Sequence, residues 1–552
     1  MDRLLHQTST FQTKPLDYLI SIFTSIKFQF RIKRTYMVAK TYSAIPQATS
    51  STLIEVEVNI SSSEEGNIII VGLPDTAAKE ARDRVKPALY NSSLCQQKQI
   101  GLITVNLAPA DIRKEGSSFD LAIAIAILGA FGQIPLSILE EYLFAGELAL
   151  DGTIRPIRAS LSLAFCAKNS NKKGIFLPEE NAAEGALVSG IEVFPVKHLS
   201  QLVAHLQSPE NSPLPTININ PEELLNSKLE NTSDFAEVKG QESAKRALEI
   251  AAAGGHNIIL VGPPGTGKSM LAKRLPSILP PLTLTEALEV TQIHSMMGLL
   301  KPGHPLITQR PFRAPHHSAS PVGLIGGGSN PVPGEITLAH HGVLFLDELP
   351  EFSRIALETM RQPLEEGWIS ISRASASVTF PAQFMLIAAM NPTPDGNMIH
   401  ESKSSRQQIQ RYLGKISGPL LDRIDLHIEV PKVSFKEMTS LKPTGESSAQ
   451  IRERVILARQ KQSLRFEKLG ITCNARMQSR EMRKFCNLNQ ECLTLLNMVM
   501  QDMHLSARAY DKIRKVARTI ADLDNSDEIQ PPHLLEACQY RNLDRQVWSY
   551  SY

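Results

Sequence analysis

Eight residues constrain this chain more than any other stretch: Gly262-Pro263-Pro264-Gly265-Thr266-Gly267-Lys268-Ser269. They fit the pattern of a phosphate-binding loop, and their setting fits as well. The apolar run from Ile258 to Val261 leads in, and a helical pattern from Met270 to Leu275 leads out. Glycines there let backbone N–H groups curl around phosphate oxygens at a helix N-terminus, where the dipole favours negative charge. Nucleotide contacts are expected from Gly262 through Met270, with Lys268 reaching the β and γ phosphates of ATP and Ser269 holding Mg²⁺. A loop of this kind belongs in an α/β domain with a parallel sheet.

The rest of such a site must come from other strands. Val343-Leu344-Phe345-Leu346 is an apolar run ending in Asp347 and Glu348, two acids where a buried strand would stop. Asp347 suits the Mg²⁺ side, and Glu348 suits the base that orients an attacking water. A third apolar run, from Phe384 to Ile387, leads to Asn391. Two arginines, Arg423 after a short helix-like run and Arg508 at the start of a helix, could stabilise charge on a transferring phosphoryl group. Singly each arginine reads as a surface salt bridge; order and spacing favour function.

A length of 552 residues exceeds what one core usually organises. The first 36 residues carry six Lys or Arg, mostly after a short apolar stretch rather than before it. They read as a disordered tail, or as lying upstream of a true start at Met37. Residues 37–206 form one α/β unit, with a strand from Thr52 to Ile60, another from Asn67 to Val71 and a helix from Thr76 with Asp75 as N-cap. A linker rich in Pro, Asn and Ser covers 207–234, the nucleotide-binding core covers 235–433, and after a break at 434–448 residues 449–552 are almost wholly helical. Lys plus Arg number 58 and Asp plus Glu 56, so any nucleic-acid surface must be local. Six scattered cysteines without a CxxC pair suit a reducing cytosol and argue against a disulfide framework or zinc ribbon. No apolar run is long enough to span a membrane.

The chain resembles the magnesium-chelatase-like AAA+ ATPases, in particular their ComM/YifB family, over about 37–541. The strings that carry the resemblance include Val71-Gly72-Leu73-Pro74, Val105-Asn106-Leu107-Ala108-Pro109-Ala110-Asp111, Arg310-Pro311-Phe312-Arg313-Ala314-Pro315-His316-His317 and Gly418-Pro419-Leu420-Leu421-Asp422-Arg423-Ile424-Asp425-Leu426. The resemblance implies that Asn391 is sensor 1, that Arg423 is an arginine finger for a neighbour's ATP, and that Arg508 is sensor 2. It also implies a homo-oligomeric ring, a hexamer, working in the cytoplasm as a motor on single-stranded, duplex or branched DNA. Lys268 and Asp347 are 79 positions apart, and the long insert between them looks like a pore-facing elaboration. Arg310, Arg313, His316 and His317 within it, and Arg373 on a hairpin from Ile369 to Phe380, are the candidate DNA contacts.

Residues 37–206 resemble the fold of the Lon protease domain, with Ser118 after a Lys114-Glu115-Gly116-Ser117 turn. Leu161 stands where the partner lysine of a protease would be, so the dyad is incomplete. Many relatives carry a cysteine cluster just after sensor 1; the run Asn391 to His400 has none, and no structural zinc is expected. Two further readings stand beside the DNA motor: a chelatase-type ATPase subunit that remodels a partner enzyme, and a Lon-like protease.

Overall fold

The computed structural model describes residues 38–543 apart from 48–49, 62–66, 96–100, 227–232, 329–330, 373–376, 434–444 and 504. The N-terminal extension, most of the break at 434–448 and Arg373 lie outside the described residues.

The N-terminal half contains strands β1 (Ala39–Gln47), β2 (Ser50–Ser61), β3 (Ile68–Val71), β4 (Leu102–Ala108), β5 (Tyr142–Phe144), β6 (Glu147–Leu148), β7 (Ile154–Arg155), β8 (Gly174–Pro178) and β9 (Glu192–Val196). Seven of them form one mixed sheet in the order β3-β4-β2-β1-β5-β8-β9, and β6 and β7 make a separate small hairpin. Alternation in β2 is what places it: Val56, Val58 and Ile60 face the core while Glu55 and Glu57 stay outside, where Lys40 of β1 pairs with both. The helix Thr76–Asn91 starts on Asp75, whose carboxylate accepts the Ala78 N–H, as its sequence predicts. The helix Asp120–Ala130 is buried along its whole length, which accounts for its uninterrupted Leu/Ala/Ile run. Phe119 is its N-cap residue, and Ser118 lies in the turn before it.

The stretch expected to be a linker is held down for most of its length. Leu214 enters the N-terminal core, Ile217 donates its N–H to the Val193 carbonyl, and Leu224 and Leu225 of the helix Pro221–Leu225 pack on a second apolar cluster. Its spaced apolar residues have no helical or strand period, which is why composition alone reads it as loose.

The second half is built on β10 (Ile258–Val261), β11 (Phe312–Arg313), β12 (Gly326–Gly327), β13 (Val332–Pro333), β14 (Val343–Leu346), β15 (Trp368–Ser372), β16 (Ser377–Pro381), β17 (Met385–Met390) and β18 (Leu426–Glu429). Five of these form a wholly parallel sheet, β11-β14-β17-β10-β18, while β12–β13 and β15–β16 are two-stranded ribbons. Both faces are covered: Ile258 and Leu260 point into one apolar cluster, Ile259 and Val261 into the other, so the strands are apolar throughout. The C-terminal helices Ser448–Phe466, Ser479–Phe485, Gln490–Asp502, Ala507–Leu523 and Pro531–Gln539 make up the region that the sequence marks as almost wholly helical. Buried His256, just before β10, fastens them to the sheet: its Nδ1–H donates to Asp425 at 2.9 Å and its Nε2 bonds Thr519 Oγ1 at 2.8 Å, while Lys512 pairs with Asp425 at 2.6 Å.

One helix, Leu284–Met296, belongs to both halves. A capping box between Thr283 and Glu286 starts it. Leu282, Ala287 and Leu306 share an apolar cluster with Leu161, Leu163 and Ala164 of the N-terminal half. Beside that cluster the buried carboxylate of Glu184 accepts from Ser160 Oγ at 2.5 Å, from Leu161 N–H at 2.8 Å, and from Ser295 Oγ of this helix.

Candidate functional site

The register of the parallel sheet gathers the phosphate-side residues. Val261 pairs with Met390 and Leu346 with Ala388, so Gly262, Asp347 and Asn391 leave their strands at the same C-terminal edge. Gly262 passes so close to β18 that a Cβ there would run into the Val430 carbonyl. Gly265 and Gly267 have φ of +76° and +90°, and a Cβ on either would meet open space. Those two glycines leave the mouth of the loop clear where phosphates would lie. Thr266 Oγ1 donates back to the Pro263 carbonyl and holds the curl, and the helix Lys268–Ile278 begins at the end of the loop. Pro263 is buried and Pro264 exposed; Met270, in the first helical turn, is 47% exposed at the rim.

Lys268 is buried and donates to the carbonyls of Gly262 at 2.6 Å and Pro263 at 2.9 Å and to Asn391 Oδ1 at 3.2 Å. Burial lowers its pKa, and Asp347 opposes that. Ser269 Oγ donates to Asp347 Oδ2 at 2.5 Å. A hydroxyl and a carboxylate brought together beneath an open anion cradle are the donor set a Mg²⁺-bound triphosphate needs, so the residues present fit ATP and Mg²⁺. Glu348 has φ +52° and a side chain 57% exposed. His317 Nδ1 lies 3.1 Å from Glu348 Oε2. Tyr412 Oη donates to the Asn391 carbonyl at 3.2 Å.

Arg423 and Arg508 lie elsewhere. β18 runs parallel to β10 with Leu426 opposite Ile258, so Arg423, three residues earlier, sits at the N-terminal edge of the sheet. Four strand residues, about 13 Å, separate that edge from the phosphate loop. Arg423 donates to the Pro419 carbonyl at 2.6 Å and pairs with Glu365; Arg508 pairs with Asp422 at 2.8 Å. The two arginines therefore share one surface, and it is not the surface that carries this chain's own loop.

Two of the candidate DNA contacts are corrected. Arg310 gives its donors to the carbonyls of Pro280, Pro281 and His341 and to Glu286, with its side chain only 15% exposed; it ties the insert together. Arg313 is held by Glu335 through two hydrogen bonds of 2.6 and 2.7 Å. The Arg310 fork is spent on internal acceptors, and that of Arg313 is held through Nε and Nη2 by Glu335, so both first of all tie the insert together. His316 is exposed and stacks on His317, whose nearest partner is Glu348. The hairpin expected around 369–380 is present as β15–β16, with cross-strand hydroxyl pairs Ser370–Thr379 and Ser372–Ser377 on its exposed side.

Glu289, His340 and His341 bring three metal-type ligand atoms within 4.8 Å of one another. The Gln383 N–H donates to His340 Nδ1, which places the ring proton on Nε2, where it bonds Glu289. A proton on Nε2 leaves His340 no lone pair for a cation, so the group is a hydrogen-bond cluster. Burial takes the His340 imidazole down to about 4. This folded value lies below the ordinary one, so the cluster stabilises the fold fully above about pH 6.5 and loses that contribution as pH falls toward 4. Asp120, raised to about 6 chiefly by burial, runs the opposite way as pH rises from 4 to 6. The mutant is therefore the diagnostic. In thermal unfolding series, wild type minus His340→Gln should change by a few kcal/mol between pH 7 and 4.5; a constant difference would exclude a buried neutral imidazole.

Leu161 is fully buried in the helix Ser160–Asn169, so the position compared with a protease lysine is apolar. Sequence reasoning missed Glu184, His256, Asp425 and His317 as organising residues; their partners are between 23 and 263 positions away or lie on unpatterned loops.

Comparison with known proteins covers nearly the whole described chain. Residues 234–438 match the family described as magnesium chelatase, subunit ChlI; residues 445–541 match its C-terminal region, and residues 56–181 match the family described as subunit ChlI of Mg-chelatase. The chain is 45% identical to competence protein ComM of Haemophilus influenzae, over 91% of this chain and 97% of that protein. It is 45% identical to YifB of Escherichia coli, over 89% of this chain and 94% of that one. The magnesium-chelatase subunit ChlI of Euglena gracilis is 19% identical over 54% of this chain and 85% of its own length.

Proposed function

This chain belongs to the ComM/YifB family of magnesium-chelatase-like AAA+ ATPases, and from that premise we propose that it forms a ring, a hexamer, whose ATP hydrolysis drives movement of branched DNA in recombination. The observation that carries the ring is the separation of Arg423 and Arg508 from their own phosphate loop by the length of β10. Arginines so placed serve a nucleotide only if that nucleotide belongs to another subunit.

In this reading the backbone N–H groups from Gly265 to Ser269 bind the β and γ phosphates, and Lys268 exchanges its two carbonyl partners for phosphate oxygens. Ser269 and Asp347 would hold Mg²⁺, which when bound would supply positive charge against the charge developing on the transferring phosphoryl group. Glu348 orients the attacking water and accepts its hydrogen bond once it leaves His317. Asn391 lies against Lys268 and bonds on the γ side. Arg423 and Arg508 of the next subunit meet the same phosphoryl group from outside.

DNA as the track is supported by the 45% identity to a protein named for competence. Locally it is supported by the hydroxyl-bearing face of β15–β16 and by exposed Lys403, Arg406 and Arg411 at the helix Arg406–Leu413. ATP turnover should rise several-fold on adding a four-way junction, duplex or single strand at low salt, decline with added salt, and be accompanied by ATP-dependent junction movement. Unchanged turnover together with no DNA binding at low salt would sink the DNA reading. The chelatase-type reading then gains. The N-terminal domain does not exclude it, because the family matched by 56–181 also carries a chelatase description. A large partner subunit recovered with this protein would favour that alternative.

A further inference from the structure

We infer that Arg476 is a third cation that each subunit presents to its neighbour's triphosphate, beside Arg423 and Arg508. The inference rests on the ring reading above. All three arginines line one cavity of about 530 Å³ at the N-terminal edge of the parallel sheet, together with Lys512 and Lys515.

Charge in that cavity is unevenly matched. Arg423 has Glu365, Arg508 has Asp422 and Lys512 has Asp425. Asp511, the remaining acid on the wall, approaches Arg514 at 3.9 Å instead, and Lys515 donates to the Ala475 carbonyl at 3.0 Å. Among the described residues, the one hydrogen bond of the Arg476 guanidinium is a 3.5 Å approach to the Phe384 carbonyl, the outer limit of useful geometry. Arg423 Nε is likewise buried without a partner. A half-buried guanidinium with N–H donors left unmade is poorly solvated, and a polyanion that reaches both groups would relieve this at once.

The support of Arg476 is rigid, as a positioned phosphate ligand requires. It ends the short turn Asn474–Arg476, whose first residue is buried and locked: Asn474 Nδ2 donates to Thr519 Oγ1 and Asp522, and Gln462 accepts its N–H. The occupant is the nucleotide on a second copy of this chain, because the cavity is the one lined by Arg423 and Arg508. The copy's own loop is open at Gly265 and Gly267 to meet it.

Subunit mixing tests this. Arg476→Ala alone should lower turnover about tenfold to a hundredfold while leaving affinity for a fluorescent ATP analogue within about twofold. Mixed with Lys268→Ala chains, it should regain turnover, since a mixed interface pairs an intact loop on one subunit with an intact Arg476 on the other. Arg423→Ala in the same mixture is the control for the ring. Rescue of Arg423→Ala without rescue of Arg476→Ala overturns the inference and leaves the ring standing; rescue of neither overturns both. Arg476→Lys, which keeps charge but loses the fork, should retain part of the turnover at an unchanged melting temperature. If Arg476→Ala instead weakens DNA binding and leaves DNA-free turnover intact, the cavity faces a nucleic-acid phosphate and the inference falls.

Discussion

Glu348→Gln should bind ATP within about twofold of wild type and hydrolyse it about a hundredfold to a thousandfold more slowly. Affinity is spared because nucleotide is held by the loop from Gly262 to Ser269, and Glu348 touches none of it. The resting structure is spared too: the Glu348 side chain is 57% exposed, and a glutamine of the same shape fits opposite His317. What is lost is a negative oxygen to orient the attacking water. Single-turnover hydrolysis beside equilibrium binding separates the two. Near-normal hydrolysis in this variant would move the base elsewhere, and equal losses of binding and turnover would make Glu348 a structural residue.

Arg423→Ala should cost turnover about a thousandfold, the scale of an arginine finger, with no loss of ATP binding by the altered subunit. Its stability cost should be small, because the carboxylate it leaves behind, Glu365, is 63% exposed and can be solvated. Mixed with Lys268→Ala chains, this variant should regain activity, because an intact loop on one subunit then meets an intact Arg423 on the other; a finger acting on its own subunit gives no such regain. No regain, or full activity of the variant alone, removes Arg423 from the neighbour's site.

The fold was legible wherever a local period or a local motif specifies it. β2, the helix on Asp75, the phosphate loop and the five C-terminal helices carry their own patterning and caps. β1 was missed: it contains Pro46, and its inner positions include Thr41 and Ser43, buried hydroxyls that break the apolar alternation. In the site, Lys268, Ser269, Asp347, Glu348 and Asn391 could be named because motif and strand end coincide. Arg310 and Arg313 misled for a physical reason. A basic residue in a Pro- and His-rich run reads the same whether its fork meets DNA or three carbonyls, and only the packed structure of Pro280, Pro281 and His341 decides. Glu184 and Asp425 were invisible for a related reason, since a buried carboxylate is identified by donors that are distant in sequence.

The helix Leu284–Met296 settles how the molecule can bend. One side of it is fused to the N-terminal half through Ser295, Ala287 and the neighbouring Leu282; the other holds His340 and His341, the two residues that precede Gly342 and β14, through Glu289. A wedge glued on both sides removes the hinge that a connecting segment would otherwise provide. Cutting the chain near 234 would strip Leu282, Ala287 and Leu306 of their cover, so the excised ATPase should be sticky rather than autonomous. Within one subunit, then, little of a power stroke can be taken up as a swing of the N-terminal half. In the ring proposed above, the joints between subunits would then take up that motion.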